Sequence, residues 1–262
     1  MTEKKMHHII ETQQFDRRWL EREFFEEVDR IERTHKEDPL LLKEILKDKN
    51  IVLLFWEPSS RTRSSFYSAA LRLGAGVEVI EGSRKDGERW VLGFSSEIKG
   101  EIFEDTIRTY ASYYDLIVIR HYEEGSALCA AKILDEFNYS TAVVNAGDGP
   151  GQDPTQALLD LYTIKKEFGG IDNLAVAFFG DLFYSRAVHS LVYLLSKFKV
   201  VMYFISPPHL KMPQDIINHL INWGVNFKEL NNSEAEEIKA DLWYVVRLQE
   251  ERFRRKEDYL AA

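Results

Sequence analysis

"IVLLFWEPSSRTRSSFYSAALRL", residues 51–73, decides the fold. Its first five residues form an unbroken apolar run, the length of a strand buried on both faces of a parallel sheet. Pro58, Ser59 and Ser60 end the run. From Ser60 to Leu73 the pattern turns helical, with Phe66, Ala69, Ala70 and Leu73 on one stripe. A buried strand that feeds straight into a helix is the opening of a right-handed crossover to a parallel strand.

The alternation continues on both sides. Residues 15–34 carry Phe15, Leu20, Phe24, Val28 and Ile31 at helical spacing. Residues 77–103 are Gly- and charge-rich and read as irregular. Helix 104–113, strand 115–120, small-residue helix 125–136, strand 141–145 and a helix from Pro154 to Phe168 follow. "KEFGGIDN" (166–173) closes that helix with two glycines and reads as a domain junction. Beyond it come strand 174–179, helix 185–197, strand 199–205, helix 213–223, strand 225–229, helix 233–239 and strand 241–247. The expected fold is α/β, with two doubly wound parallel-sheet domains, 1–168 and 169–262.

Composition narrows the function. Hydrophobic residues make up 45% of 262, enough for a real core. A net charge of −9 argues against nucleic acid, which calls for a basic face. The single cysteine, Cys129, excludes an intrachain disulfide and fits a cytoplasmic setting. Within "SALCAAKIL" it reads as a buried small hydrophobe. "MTEKKMHHIIE" lacks the apolar stretch of a signal peptide, and no apolar run nears the ~20 residues that span a bilayer. His7 and His8 read as part of a polar, mobile tail, and no metal-ligand spacing is present.

Ligands of open parallel sheets bind at the carboxyl ends of strands. Three such ends are rich in polar groups. In "FWEPSSRTRSSF" (55–66), a helix N-terminus with Ser59, Ser60, Thr62 and Arg61 suits a phosphate; the alternative is a Ser-capped helix with exposed arginines. In "IVIRHYEEG" (117–125), Arg120 and His121 end a strand; the alternative is a salt bridge to Glu123 or Glu124. In "FFGDLFYSRAVHSL" (178–191), Gly180-Asp181 closes a strand and Arg186 lies in the next helix, with His189 as an ordinary helix histidine. No G-x-G-x-x-G is present, so a dinucleotide fingerprint is absent.

Together with "KGEIFEDTIRTYASYYDLIVIRH", "NAGDGPGQDPTQALLDLYTI", "ISPPHLKMP" and "ADLWYVVRLQEERF", these segments resemble the aspartate/ornithine carbamoyltransferase family, in its order and from about residue 13 to 254. The aspartate branch is the better fit. The resemblance implies that Ser59, Ser60, Arg61 and Thr62 cradle the phosphate of carbamoyl phosphate. It implies that Arg120 contacts phosphate and carbonyl oxygens, and that Gln156 holds the carbamoyl amine. Arg186, Arg247 and Gln249 would grip the carboxylates of L-aspartate. Lys99, with Ser95 four residues before it, would reach a neighbouring subunit's site, which makes a homotrimer with shared active sites the expected assembly. No metal or cofactor is implied. The product would be N-carbamoyl-L-aspartate, for pyrimidine synthesis.

Three departures from the family pattern fall at functional places. Asp153 stands where the family has a histidine that donates to the carbamoyl oxygen; an ionised carboxylate has no proton to give. Two like charges ~5 Å apart at an effective dielectric of 20 also repel by roughly 3 kcal/mol. Asp153 before Pro154 equally suits a helix N-cap. The stretch 77–101 is longer than, and unlike, the family's loop before the lysine. The chain stops at Ala262, before the family's His-Pro-Leu-Pro segment and last helix, so the second domain reads as truncated. Two further readings therefore stand beside the aspartate enzyme. One is an inactive homologue that binds ligand or joins a regulatory or completing subunit. The other is a carbamoyltransferase for a different amine.

Overall fold

The apolar run becomes β1 (Asn50–Phe55), buried from Ile51 onward. It is central in a five-stranded sheet with β2 (Gly76–Ser83), β3 (Val91–Leu92), β4 (Leu116–His121) and β5 (Ala142–Asp148), in the order β3-β2-β1-β4-β5. Pairings β1–β2, β1–β4 and β4–β5 are parallel; β3 runs antiparallel to β2. The computed structural model describes residues 7–83, 90–93, 100–231 and 234–248. The chain divides into one unit of Met1–Glu11 and Arg18–Pro154 and a second of Thr12–Arg17 and Thr155–Ala262.

A helical turn, α1 (Arg17–Trp19), and a π-type turn, Leu20–Phe24, lead into α2 (Phe25–Glu37). The sheet is then covered on both faces by α3 (Ser60–Leu73), α4 (Phe103–Ala111) and α5 (Ser126–Glu136). Val52, Leu54, Ile117, Ile119 and Val143 pack with Ile107 of α4 and with Ala127, Ala130 and Leu134 of α5. Ile51, Leu53, Phe55 and Val118 pack with Phe66 and Ala70 of α3. Alternate residues of β1 thus serve opposite cores, each large side chain contributing about 1.5–3 kcal/mol by burial.

The second unit carries β6 (Ala175–Gly180), β7 (Val201–Ile205), β8 (Asn226–Leu230) and β9 (Leu242–Val246), all parallel, in the order β8-β7-β6-β9. Its helices include α6 (Pro154–Phe168), which begins at the division, α7 (Arg186–Leu195) and α8 (Gln214–Asn222). Every residue of α7 from Val188 to Leu195 is buried. Arg17 forks onto Asp172 at 3.0 and 2.6 Å, and Asp172 also accepts from the Lys199 N–H at 2.8 Å. Both donors, the guanidinium first, hold the Asp172 carboxyl below the usual carboxylate range.

The α/β class and the parallel sheets agree with the sequence. Four local expectations do not. The stretch expected to be irregular contains β2, whose Val77 and Val79 pack on one core while Glu78 and Glu81 obscure the apolar pattern. The helix expected at 233–239 is a 3-10 turn, Glu234–Glu237, too acidic and short to build an apolar stripe. Cys129 is exposed: the buried stripe of α5 runs Ala127, Ala130, Ala131, Leu134, and position 129 falls off it. His8 is no mobile tail. Ile9 bridges to Val144 along the β5 edge, and His8 Nδ1 accepts from the Val143 N–H at 3.0 Å. Burial lowers the His8 pKa, which suits an imidazole that accepts.

Candidate functional site

In the first sheet the strand order reverses between β1 and β4, which opens a crevice at their carboxyl ends. Arg120 lies there, opposite Phe55 in register, and its carbonyl accepts from the Trp56 N–H at 2.9 Å. Its side chain, 12% exposed, pairs with Glu57 at 3.2 Å and donates to the Ala146 carbonyl at 3.2 Å. Arg120 therefore joins three segments that follow or end β1, β4 and β5. Next to it, His121 is buried against Trp56 and Tyr122, and its Nδ1 accepts from the Glu123 N–H at 3.0 Å. The ring shapes the turn after β4, with its proton on Nε2.

The β1 end runs into the N-terminus of α3. Ser59 is the extended N-cap of that helix, and its hydroxyl makes no capping bond to a helix N–H; it donates instead to Thr62 Oγ1 in the first turn at 3.0 Å. No acidic residue occupies the first turn. The positive end of a 14-residue helix, with Ser60 and Arg61 exposed on its first turn, thus faces solvent unopposed by helix acids. The neighbouring Arg63 is committed elsewhere, to Glu81 of β2 at 2.8 Å.

Positive-φ glycines on either side of Asp148, Gly147 within the end of β5 and Gly149 just past it, turn the chain toward α6. Asp148 organises this turn. It accepts from the Gly125 N–H at 2.8 Å, the Gln152 N–H at 3.0 Å and Asn145 Nδ2 at 3.0 Å. Gly149 has φ +49, and a Cβ there would meet the Tyr122 carbonyl and Glu124 nitrogen at 2.8 Å. The β4 and β5 turns are therefore packed tightly together. Asp153, 9% exposed, directly precedes Pro154, the first residue of α6; Gln156 is exposed in the first turn.

The second unit repeats the scheme, with the order reversing between β6 and β9. Gly180 ends β6 at φ +112, where a Cβ would lie 2.1 Å from the Val246 carbonyl. Asp181, fully buried, accepts from the N–H groups of Phe183 at 3.2 Å and Tyr184 at 2.9 Å, shaping the turn into α7. Arg186 is the first residue of α7, and exposed Arg247 directly follows β9. His189 pairs through Nε2 with the Leu182 carbonyl at 2.8 Å, a structural role.

The structure thus gathers Ser59, Ser60, Arg61, Thr62 and Arg120 at one reversal point and sets Arg186 and Arg247 beside another. Lys99, Ser95 and Gln249 lie outside the described residues. Sequence reasoning missed Glu57 and Asp148. Glu57 sat next to a proline, and Asp148 looked like an ordinary turn residue between glycines.

A model of the aspartate/ornithine carbamoyltransferase carbamoyl-P binding domain matches residues 7–166. The chain is 45% identical over 257 residues to a chloroplastic aspartate carbamoyltransferase of Arabidopsis thaliana, covering 97% of this chain and 61% of that protein. It is 45% identical over 222 residues to an aspartate carbamoyltransferase catalytic subunit of Thermococcus gammatolerans, covering 83% and 66%. Among solved structures, the catalytic subunit of M. jannaschii aspartate transcarbamoylase matches with TM-score 0.80 and 40% identity over 98% of this chain and 78% of that one. Aspartate transcarbamoylase from Trypanosoma cruzi in complex with carbamoyl phosphate and aspartate gives TM-score 0.81 and 33% identity, covering 98% and 76%. The chain spans about three-fifths of the length of the curated plant relatives it matches. On the family match and these relatives, the chain belongs to the aspartate/ornithine carbamoyltransferase family.

Proposed function

We propose that the chain carries out carbamoyl transfer from carbamoyl phosphate to the amine of L-aspartate, as a step in pyrimidine synthesis. The observation that carries this reading is the position of Arg120 and of the open N-terminus of α3, both at the carboxyl ends of the strands that flank the β1/β4 reversal. A guanidinium fork, helix N–H groups and hydroxyls suit a phosphate ester. Ser59, Ser60, Arg61 and Thr62 hold the phosphate; Arg120 adds the carbamoyl carbonyl. Gln156 takes the carbamoyl amine. Arg186, Arg247 and Gln249 hold the acceptor's two carboxylates, and two arginines there disfavour a cationic acceptor. We assign 1–168 to carbamoyl phosphate and 169–262 to the acceptor.

The amine attacks the carbamoyl carbon, an oxyanion develops on the carbonyl oxygen, and phosphate leaves. Orientation of two polyanions and stabilisation of the oxyanion supply the catalysis; no side-chain nucleophile is needed. Asp153 cannot donate to that oxyanion while ionised, so turnover is slow. In this reading Lys99 and Ser95 serve a neighbouring copy within a homotrimer in the cytoplasm; the plant relatives carry "chloroplastic" in their names.

An acceptor panel tests the reading. With labelled carbamoyl phosphate, aspartate is expected to yield carbamoylated product and ornithine none. Transfer to ornithine but not aspartate contradicts it. Calorimetric binding of carbamoyl phosphate with no product from any amine favours the non-catalytic homologue, which Asp153 motivates.

A further inference from the structure

Asp160 stands four residues after Gln156 on α6, one turn along the same face. Gln156 Nε2 donates to Asp160 Oδ1 at 2.9 Å. A carboxylate only accepts, so this bond decides which way the Gln156 amide faces. Its nitrogen edge is turned to Asp160 and its Oε1 edge away. The other oxygen, Asp160 Oδ2, accepts from the Tyr244 hydroxyl at 2.9 Å. Tyr244 belongs to β9, and its ring packs 5.8 Å from that of Phe178, a residue with no exposed surface. Tyr244 is thereby anchored in the core of the second unit, three residues before Arg247.

We propose that Asp160, held by Tyr244, is a positioning residue that presents the Gln156 carbonyl oxygen to the ligand and so selects a carbamoyl group, with its N–H donors, over a methyl-bearing acyl group. The inference rests on the carbamoyl phosphate reading. An amide oxygen accepts from the carbamoyl NH2; an amide rotated by half a turn would set donor against donor. Asp160 prevents that rotation because its oxygen has no use for a second acceptor. The same relay couples the amide's orientation to the strand that leads to Arg247.

The test is calorimetric binding of two stable phosphonates, phosphonoacetamide and acetonylphosphonate, which differ in NH2 against CH3. Binding needs no turnover, so the test holds even for a slow enzyme. Wild type is expected to favour the amide by about tenfold, the scale of one well-formed hydrogen bond. Gln156→Ala and Asp160→Ala should both abolish the preference while leaving acetonylphosphonate affinity in place. Tyr244→Phe should reduce it by about threefold, since Asp160 keeps Gln156 but loses its anchor. Asp160→Asn, which can still accept from Gln156, should retain it. A wild type that binds neither phosphonate overturns the carbamoyl phosphate reading and this inference together. A preference lost in Gln156→Ala but kept in Asp160→Ala overturns the inference alone. Equal loss of both ligands in Asp160→Ala and Tyr244→Phe overturns it too, because the pair is then merely structural.

Discussion

Arg120 illustrates how much a single side chain does at the strand ends. Its two terminal nitrogens reach Glu57 and the Ala146 carbonyl, so its fork is held in place by geometry as well as by charge. Lysine at this position keeps the charge but cannot hold both contacts. Arg120→Lys is therefore expected to weaken phosphate binding by about tenfold, read by calorimetry with inorganic phosphate. Unchanged affinity would mean that charge alone matters. The arginine itself was legible, as a basic residue ending a buried strand. Its partner Glu57 was not, because pairing across two strand ends is set by register, which the sequence does not print. Cys129 failed for a simpler reason: one position along a helix turns a side chain by about 100°, enough to leave the buried stripe.

At the scale of elements, the buried central strands read clearly because parallel strands covered on both faces are continuous apolar runs. β2 did not, because glutamates interrupt its valines and two of its own eight residues are glycines. The glycine that ends β6 matters for the opposite reason. Gly180→Ala would drive a methyl group to 2.1 Å from the Val246 carbonyl in a left-handed conformation. The expected cost is about 2 kcal/mol or more, measured by chemical denaturation; a change within about 0.5 kcal/mol would mean that β9 yields readily. Asp172 links the Arg17 turn to Lys199, in the segment just before β7. Its carboxyl is depressed when folded, so its stabilisation is present above the unfolded carboxylate pKa and lost as pH falls through the folded one. The stability gap between wild type and Asp172→Asn should be steady near neutrality and close below about pH 4. A gap that persists at lower pH would remove the ion pair from the explanation.

At the scale of the molecule, two sheets each reverse their strand order once, and each reversal carries arginine-bearing turns. That doubling was visible in the alternation of apolar runs and helical stripes on either side of "KEFGGIDN". The exact strand order was not, since it depends on which runs pair across long connections. If Lys99 serves a neighbouring copy, sedimentation of the purified protein should give a trimer, and a monomer at catalytic concentrations would remove that role. We propose that the chain retains carbamoyl transfer to aspartate at a rate that Asp153 limits. The decisive comparison is the rate of N-carbamoyl-aspartate formation by wild type and by Asp153→His, side by side at saturating substrates. The histidine variant is expected to be faster by about 10²–10³, the worth of one oxyanion donor. No product from either protein would contradict the account.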